Sequence, residues 1–276
     1  MSKIKVMVNG MPGNVAVLVA NHALSDDRFD LIPESFTGPE IQDSECVLEA
    51  VTVKLIRPED RDKAINEIKT TYGDFLSVDF THPSAVNENA EYYCKNSLPF
   101  VMGTTGGDRD ALTQTVLSSS IAAVIAPNMA KQIVGFQAMM EYAASTFKDL
   151  FKGYSLTIKE SHQKGKADTS GTAKAMVQYF NNLGLQFAEA DIAMERDPEI
   201  QQAQWGIPQA FLSGHAWHTY ALESEDQTVR FEFTHNVNGR DVYARGTLDA
   251  LDYLQGKVNQ GAKGKVFTMI DVLKGK

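Results

Sequence analysis

Ile4-Lys5-Val6-Met7-Val8-Asn9-Gly10-Met11-Pro12-Gly13-Asn14, running on through residues 15–24, decides the fold of the first half. A short apolar run, a turn with two glycines and an apolar stretch of helical length read as strand, tight turn and buried helix. The same alternation continues outward. Residues 29–32 and 51–56 suit further strands, Pro58 opens a charged helical stretch through Lys69, and 75–80, 98–102 and 121–125 read as strands separated by helices over 83–95 and 108–117. Strands separated by helix-length segments pair in parallel through right-handed crossovers, so the reading is a doubly wound α/β sheet.

After Asn128 the regular alternation is lost. Residues 131–151 form a long amphipathic pattern, 154–159 alternate like a half-buried strand, 170–183 are helical, and Val229, Phe231, Phe233 and His235 alternate strictly. The second half therefore reads as an α+β domain with a mixed open sheet. Its low-charge aromatic strand would be hazardous as a bare edge, which suggests pairing between subunits.

Composition bounds the partners. The net charge of −9 over 276 residues argues against a nucleic-acid surface. No apolar run approaches the ~18 residues that a membrane span requires, and strand-like sequence from Ile4 leaves no room for a signal peptide. A cytoplasmic protein is expected, or one of the plastid stroma if a transit peptide has been removed. Cys46 and Cys94, the only two cysteines, lie in no CxxC pair and suit free thiols. His215 and His218 flank Trp217 without an acid or cysteine at ligand spacing, so no metal is expected.

Gly10-x-x-Gly13-x-x-Ala16 sits where a Rossmann-like domain binds a dinucleotide pyrophosphate: Gly10 permits the turn, Gly13 admits close approach, and Met11, Pro12 and Asn14 complete the loop. Val8 replaces the usual first glycine, and a plain tight turn is the competing reading. Beyond the second strand, Glu34 could accept ribose hydroxyls, whereas Ser35 and Thr37 could donate to a 2′-phosphate; the latter slightly favours NADPH over NADH. Gly103-Thr104-Thr105-Gly106 and Ala126-Pro127-Asn128-Met129 follow strand ends on the same sheet edge and could meet ribose and nicotinamide.

The strongest local pattern runs from Lys159 to Ala173. It combines His162, able to exchange a proton near neutrality, with Lys166 and a helix start capped by Ser170, whose dipole and free N–H groups attract a carboxylate. Four lysines stand against two acids between Lys159 and Lys174, so an anionic small molecule is the expected partner. On the residues alone, a solvated surface loop explains the segment equally well.

Glu160-Ser161-His162-Gln163 through Lys166, followed by Asp168-Thr169-Ser170-Gly171-Thr172-Ala173, resembles the signature loop of 4-hydroxy-tetrahydrodipicolinate reductases. The similarity extends through residues 78–81, 103–106 and 126–128, Phe233-Thr234-His235 with Arg240, and 269–273, in family order over nearly the whole chain. The resemblance implies an NADPH- or NADH-dependent oxidoreductase of lysine and diaminopimelate biosynthesis. It implies a nucleotide domain over 1–129 and 241–276, a substrate and oligomerisation domain over 130–240, and a homo-oligomer, tetramer or dimer. It makes His162 the catalytic acid and Lys166 its partner. Gln163, Ser170, Gly171, Thr172 and Arg240 would hold a dicarboxylate substrate, and Phe80, Thr81, Thr104 and Asn128 would lie along the cofactor.

His162-Gln163 replaces the two adjacent histidines of the common bacterial pattern, and Thr169 stands where a proline is usual; both changes resemble the plant-type branch. Two rival readings remain: another NADP-dependent semialdehyde or sugar dehydrogenase, which would act on a carbonyl, and a non-catalytic nucleotide-binding protein, which would tolerate loss of His162.

Overall fold

In a computed structural model describing residues 3–275, the strands are β1 (Ile4–Asn9), β2 (Phe29–Leu31), β3 (Glu34–Phe36), β4 (Glu45–Val47), β5 (Thr52–Ile56), β6 (Leu76–Asp79), β7 (Phe100–Met102), β8 (Ala122–Ile125), β9 (Ser155–His162), β10 (Ala193–Glu195), β11 (His215–Glu223), β12 (Arg230–Asn238) and β13 (Lys265–Phe267). The helices are α1 (Asn14–Ser25), α2 (Arg61–Tyr72), α3 (Val86–Lys95), α4 (Arg109–Leu117), α5 (Lys131–Thr146), α6 (Gly171–Asn182), α7 (Pro198–Ala203), α8 (Asp241–Asn259) and α9 (Met269–Lys274). The chain divides into two compact units, Met1–Lys131 with Asp241–Lys276, and Gln132–Arg240.

The first unit is built on a six-stranded parallel sheet in the order β13-β8-β7-β6-β1-β2. Its central strands are apolar on both faces because both are covered. Met7, Phe100, Met102 and Ala123 join Ile65 of α2, Ala90 and Tyr93 of α3 and Leu112 of α4 in one core. Helix α8 packs on α1, β7 and β8. Residues 52–56, expected as a strand of this sheet, belong instead to a separate three-stranded sheet, β3-β5-β4. The segment after Ile32 turns away at Pro33 and pairs Glu34–Phe36 with β5, a pairing that the strand pattern alone does not specify.

The second unit carries a four-stranded mixed sheet in the order β10-β9-β11-β12. Ile158, Tyr220 and Leu222 meet Met140 of α5 and Ala173, Met176, Val177 and Phe180 of α6 in its core, with Phe136 and Phe233 packed alongside. The long helix expected over 131–151 stops at Thr146, where the chain turns through Asp149 in the left-handed region (φ 58°). Strand β9 runs three residues farther than expected, through His162. No helix among the described residues is long and apolar enough to cross a membrane.

Candidate active site

The glycine turn projects from the end of β1. Gly10 has φ 105°, and a side chain there would begin 2.2 Å from the Phe80 carbonyl oxygen, so both conformation and space demand glycine. Gly13, the N-cap of α1, supplies no side-chain cap, which leaves the helix's first N–H groups and dipole for an anion. Pro12, Gly13 and Asn14 are exposed, whereas the Met11 side chain is fully buried and can reach a ligand only through its backbone.

The hydroxyls expected at a 2′-phosphate are used inside the protein. Ser35 Oγ accepts the Met11 N–H (3.3 Å), and Thr37 Oγ1 donates to the Met11 carbonyl (2.7 Å); both residues are buried. These bonds brace the glycine loop. Thr104 is likewise turned inward, donating to Asp79 Oδ1 (2.5 Å) and accepting the Thr81 N–H (2.9 Å).

Fully buried Asp79, at the end of β6, also accepts from Thr81 Oγ1 (2.9 Å), Asn89 (3.0 Å) and the Tyr93 hydroxyl (2.8 Å). Arg61 extends the network from Asn89 to the Thr37 carbonyl. Gly103 gives room to the Phe80 ring, which would lie 2.2 Å from a side chain at that position. Thr105 and Pro127 are exposed; Asn128 Oδ1 accepts the Ala130 N–H, and Met129 is buried.

In the second unit, sheet register assembles the chemistry. His218 of β11 lies opposite Glu160 of β9 on one side and His235 of β12 on the other. His162, two residues beyond Glu160, shares their face. The apolar part of that face belongs to the core; Glu160, His162, His218 and His235 form its polar end.

Glu160 is fully buried and accepts from Arg196 Nη2 at Oε1 (2.5 Å) and from the Ser170 N–H at Oε2 (3.0 Å). Oε2 lies 3.6 Å from His218 Nε2 and 3.9 Å from His162 Nε2, and the two imidazole nitrogens are 3.4 Å apart. Burial would raise the Glu160 pKa, but His218, Arg196 and the Ser170 N–H outweigh it and lower the carboxyl well below its ordinary range. His162 is lowered in its turn, first by burial and then by His218, with Glu160 opposing and Arg196 and Lys166 adding to the depression. His235 is lowered to about 4 by burial and by His218.

Arg196, which no sequence motif signalled, organises the loop after β9. Its Nε donates to the Lys166 carbonyl (2.9 Å) and its Nη2 also reaches the Asp168 carbonyl (3.4 Å). Gln201, fully buried on α7, donates to the His162 carbonyl (2.7 Å). Ser170 caps α6 by accepting the Thr172 N–H (3.2 Å), while its own N–H is taken by Glu160. Gly171 opens onto free space. Arg240 and Gln163 lie near the same sheet end, where Ala216 pairs with His162 and His215 with Asn238; the Arg240 guanidinium is 3.7 Å from where a side chain at Gly214 would begin.

Glu160, His162 and His218 bring three donor atoms within 4.8 Å, a spacing that sequence could not show and that resembles a metal triad. Both Glu160 oxygens already hold N–H donors, however, and His218 Nδ1 lacks a hydrogen-bond partner, unlike the outer nitrogen of most metal-bound histidines. Two cations, Arg196 and Lys166, also act on the cluster. The set is better suited to holding and moving a proton.

Two family models match the chain: "Dihydrodipicolinate reductase, N-terminus" over residues 4–129 and "Dihydrodipicolinate reductase, C-terminus" over 133–273. A probable 4-hydroxy-tetrahydrodipicolinate reductase 1 of Oryza sativa, named chloroplastic, is 45% identical over 98% of this chain and 78% of its own. The Arabidopsis thaliana 4-hydroxy-tetrahydrodipicolinate reductase 1, also named chloroplastic, is 45% identical with the same coverages. Among solved structures, a dipicolinate-bound dihydrodipicolinate reductase from Paenisporosarcina shares the fold with a TM-score of 0.68 at 18% identity, covering 97% of this chain and 98% of its own. The chain belongs to the dihydrodipicolinate reductase family, and within it is similar to the plant proteins.

Proposed function

We propose that this chain reduces 4-hydroxy-tetrahydrodipicolinate to tetrahydrodipicolinate, in lysine and diaminopimelate biosynthesis, with NADPH or NADH as reductant. The observation that carries the reading is the buried Glu160–His162–His218 cluster beside Lys166 and the start of α6, on a chain that also presents an uncapped helix N-terminus behind Gly10 and Gly13. The unit over 1–131 and 241–276 would bind the dinucleotide and that over 132–240 the dicarboxylate.

A nicotinamide cofactor, when bound, supplies hydride. The residues present fit its pyrophosphate through the exposed Asn14 N–H and the other free N–H groups at the uncapped start of α1, with Pro12 and Gly13 leaving the approach open. Lys166 and Arg240 offset the two substrate carboxylates; Ser170 Oγ, Gly171 and Thr172 orient one of them, and Gln163 lines the approach. His162 delivers the proton to the ring carbon next to the one that receives hydride. The inward hydroxyls of Ser35 and Thr37 remove the local argument for a 2′-phosphate, so the loop favours neither NADPH nor NADH as the reductant. The long open edge of β12, where Phe231 is 43% exposed, favours self-association through this sheet.

The test is oxidation of NADPH and NADH with freshly generated substrate by wild type and His162→Gln. Turnover lost in the variant while nucleotide binding persists supports the assignment. Folded, nucleotide-binding wild type without turnover refutes it.

A further inference from the structure

In the ligand-free site His162 is neutral near pH 7, because burial and the neighbouring His218, Arg196 and Lys166 disfavour its charged form. A neutral imidazole is a poor proton donor to carbon. The charged groups around it are the Glu160 carboxylate from β9, the Arg196 guanidinium bonded to it, and the Lys166 ammonium from the loop. Glu160 and Arg196 offset one another, so Lys166, with Arg240 near the same sheet end, leaves the surroundings net positive. A bound dicarboxylate cancels that charge.

A proton drawn in by the ligand has a prepared place. His162 Nε2 and His218 Nε2 stand 3.4 Å apart, with Glu160 Oε2 within 3.9 Å of both. His218 is 2% exposed, stacked on His235 at 4.6 Å, with Tyr220 6.3 Å away along β11. Its Nδ1 is buried without a hydrogen-bond partner. Nε2 is therefore its outlet for a proton, and it faces His162 and Glu160. The other groups packed against the pair are uncharged: the neutral His235 of β12, the Tyr220 hydroxyl of β11 and the Ser170 N–H of α6.

We propose that His218 is a positioning residue that shares one proton with His162, and that this proton is taken up from water when the dicarboxylate binds. The inference rests on the dicarboxylate reading of the site. In each turnover one proton enters the pair with the dianion. The hydroxyl first leaves as water with the proton released from the adjacent ring carbon; hydride then arrives at the carbon that bore it, the shared proton forms the new C–H bond at its neighbour, and His162 returns to its neutral state.

The experiment is titration calorimetry of dipicolinate into the enzyme saturated with NADP+, near pH 7.5, in phosphate and in Tris, whose ionisation heats differ. The two heats should differ by the equivalent of ~1 proton taken up per site in wild type, and by less than half that in His218→Gln. Wild-type Kd should weaken roughly tenfold per pH unit on the alkaline side, a readout that needs no variant. Equal heats in the two buffers with a flat Kd, or undiminished uptake in His218→Gln, would overturn the shared proton and leave the dicarboxylate site standing. Absence of any binding by wild type would overturn the dicarboxylate reading itself, and this inference with it.

Discussion

Replacing Glu160 by glutamine tests how the second unit is held together. The carboxylate takes one donor on each oxygen, Arg196 Nη2 at 2.5 Å and the Ser170 N–H at 3.0 Å. An amide has one oxygen, so whichever way it turns one donor meets the NH2 group, a buried mismatch worth about 1–3 kcal/mol. Loss of the charge also strands Arg196, and breaking a buried ion pair costs about 3–5 kcal/mol when the remaining charge is uncompensated. Arg196 is 17% exposed in its side chain and keeps the carbonyls of Lys166, Glu195 and Asp168, which moderates that term. A total of about 3 kcal/mol is expected.

The assay follows from the two tryptophans, Trp205 and Trp217, which both belong to the second unit, so intrinsic fluorescence reports its unfolding. With a urea m-value of ~2 kcal/mol/M, the midpoint should fall by about 1.5 M. The double variant Glu160→Gln/Arg196→Met should lose much less than the sum of the single changes. A midpoint drop below about 0.5 M, or additive losses, would refute the pairing as the support of the 163–170 loop.

Other consequences are open to equally direct measurement. Gly10→Ala places a Cβ 2.2 Å from the Phe80 carbonyl oxygen at φ 105°, and should weaken NADPH binding more than about tenfold in a fluorescence titration. Thr37→Val removes a hydroxyl that bonds the Met11 carbonyl, so it should lower stability by about 1 kcal/mol and leave the ratio of kcat/KM for NADPH and NADH within about twofold. His162 and His235 have folded pKa values below the unfolded imidazole value, so unfolded chain binds their protons first as the pH falls. Their stability is fully present above about pH 6.5 and should be lost between there and about pH 4 for His235 and about pH 3 for His162, by at most ~1.4 kcal/mol per pH unit for each, readable in fluorescence-detected urea midpoints.

Most of the first unit was legible because β1, β2, β6, β7 and β8 are short runs between glycine turns and helices; the sheet's sixth strand, the three-residue β13, carries no such signal. What failed was local. Residues 52–56 look like any partly alternating strand, and only the turn at Pro33 diverts their partner into the smaller sheet. In the second unit β11 escaped notice because polar and apolar residues mix on both of its faces and give no clean alternation: Ala216, His218, Tyr220 and Leu222 face the core side, and His215, Trp217, Thr219 and Ala221 the other.

That strand is what places His218 beside Glu160, 58 positions away in sequence, so half of the cluster was invisible while His162 and Ser170 stood out in one motif. Arg196 was hidden for the same reason. Ser35, Thr37 and Thr104 carried the right chemistry, but sequence does not say which way a hydroxyl points, and theirs point inward.

Asp79 joins Thr81, Thr104, Asn89 and Tyr93, and Asn89 leads through Arg61 to Thr37, whose hydroxyl grips Met11. Four loops from four different strand ends are thereby clamped before any ligand arrives. A ligand entering such a frame has little backbone left to immobilise, so more of its contact energy survives as affinity. Loosening Asp79 would therefore tax binding through entropy, at a residue with no exposed surface to touch the ligand.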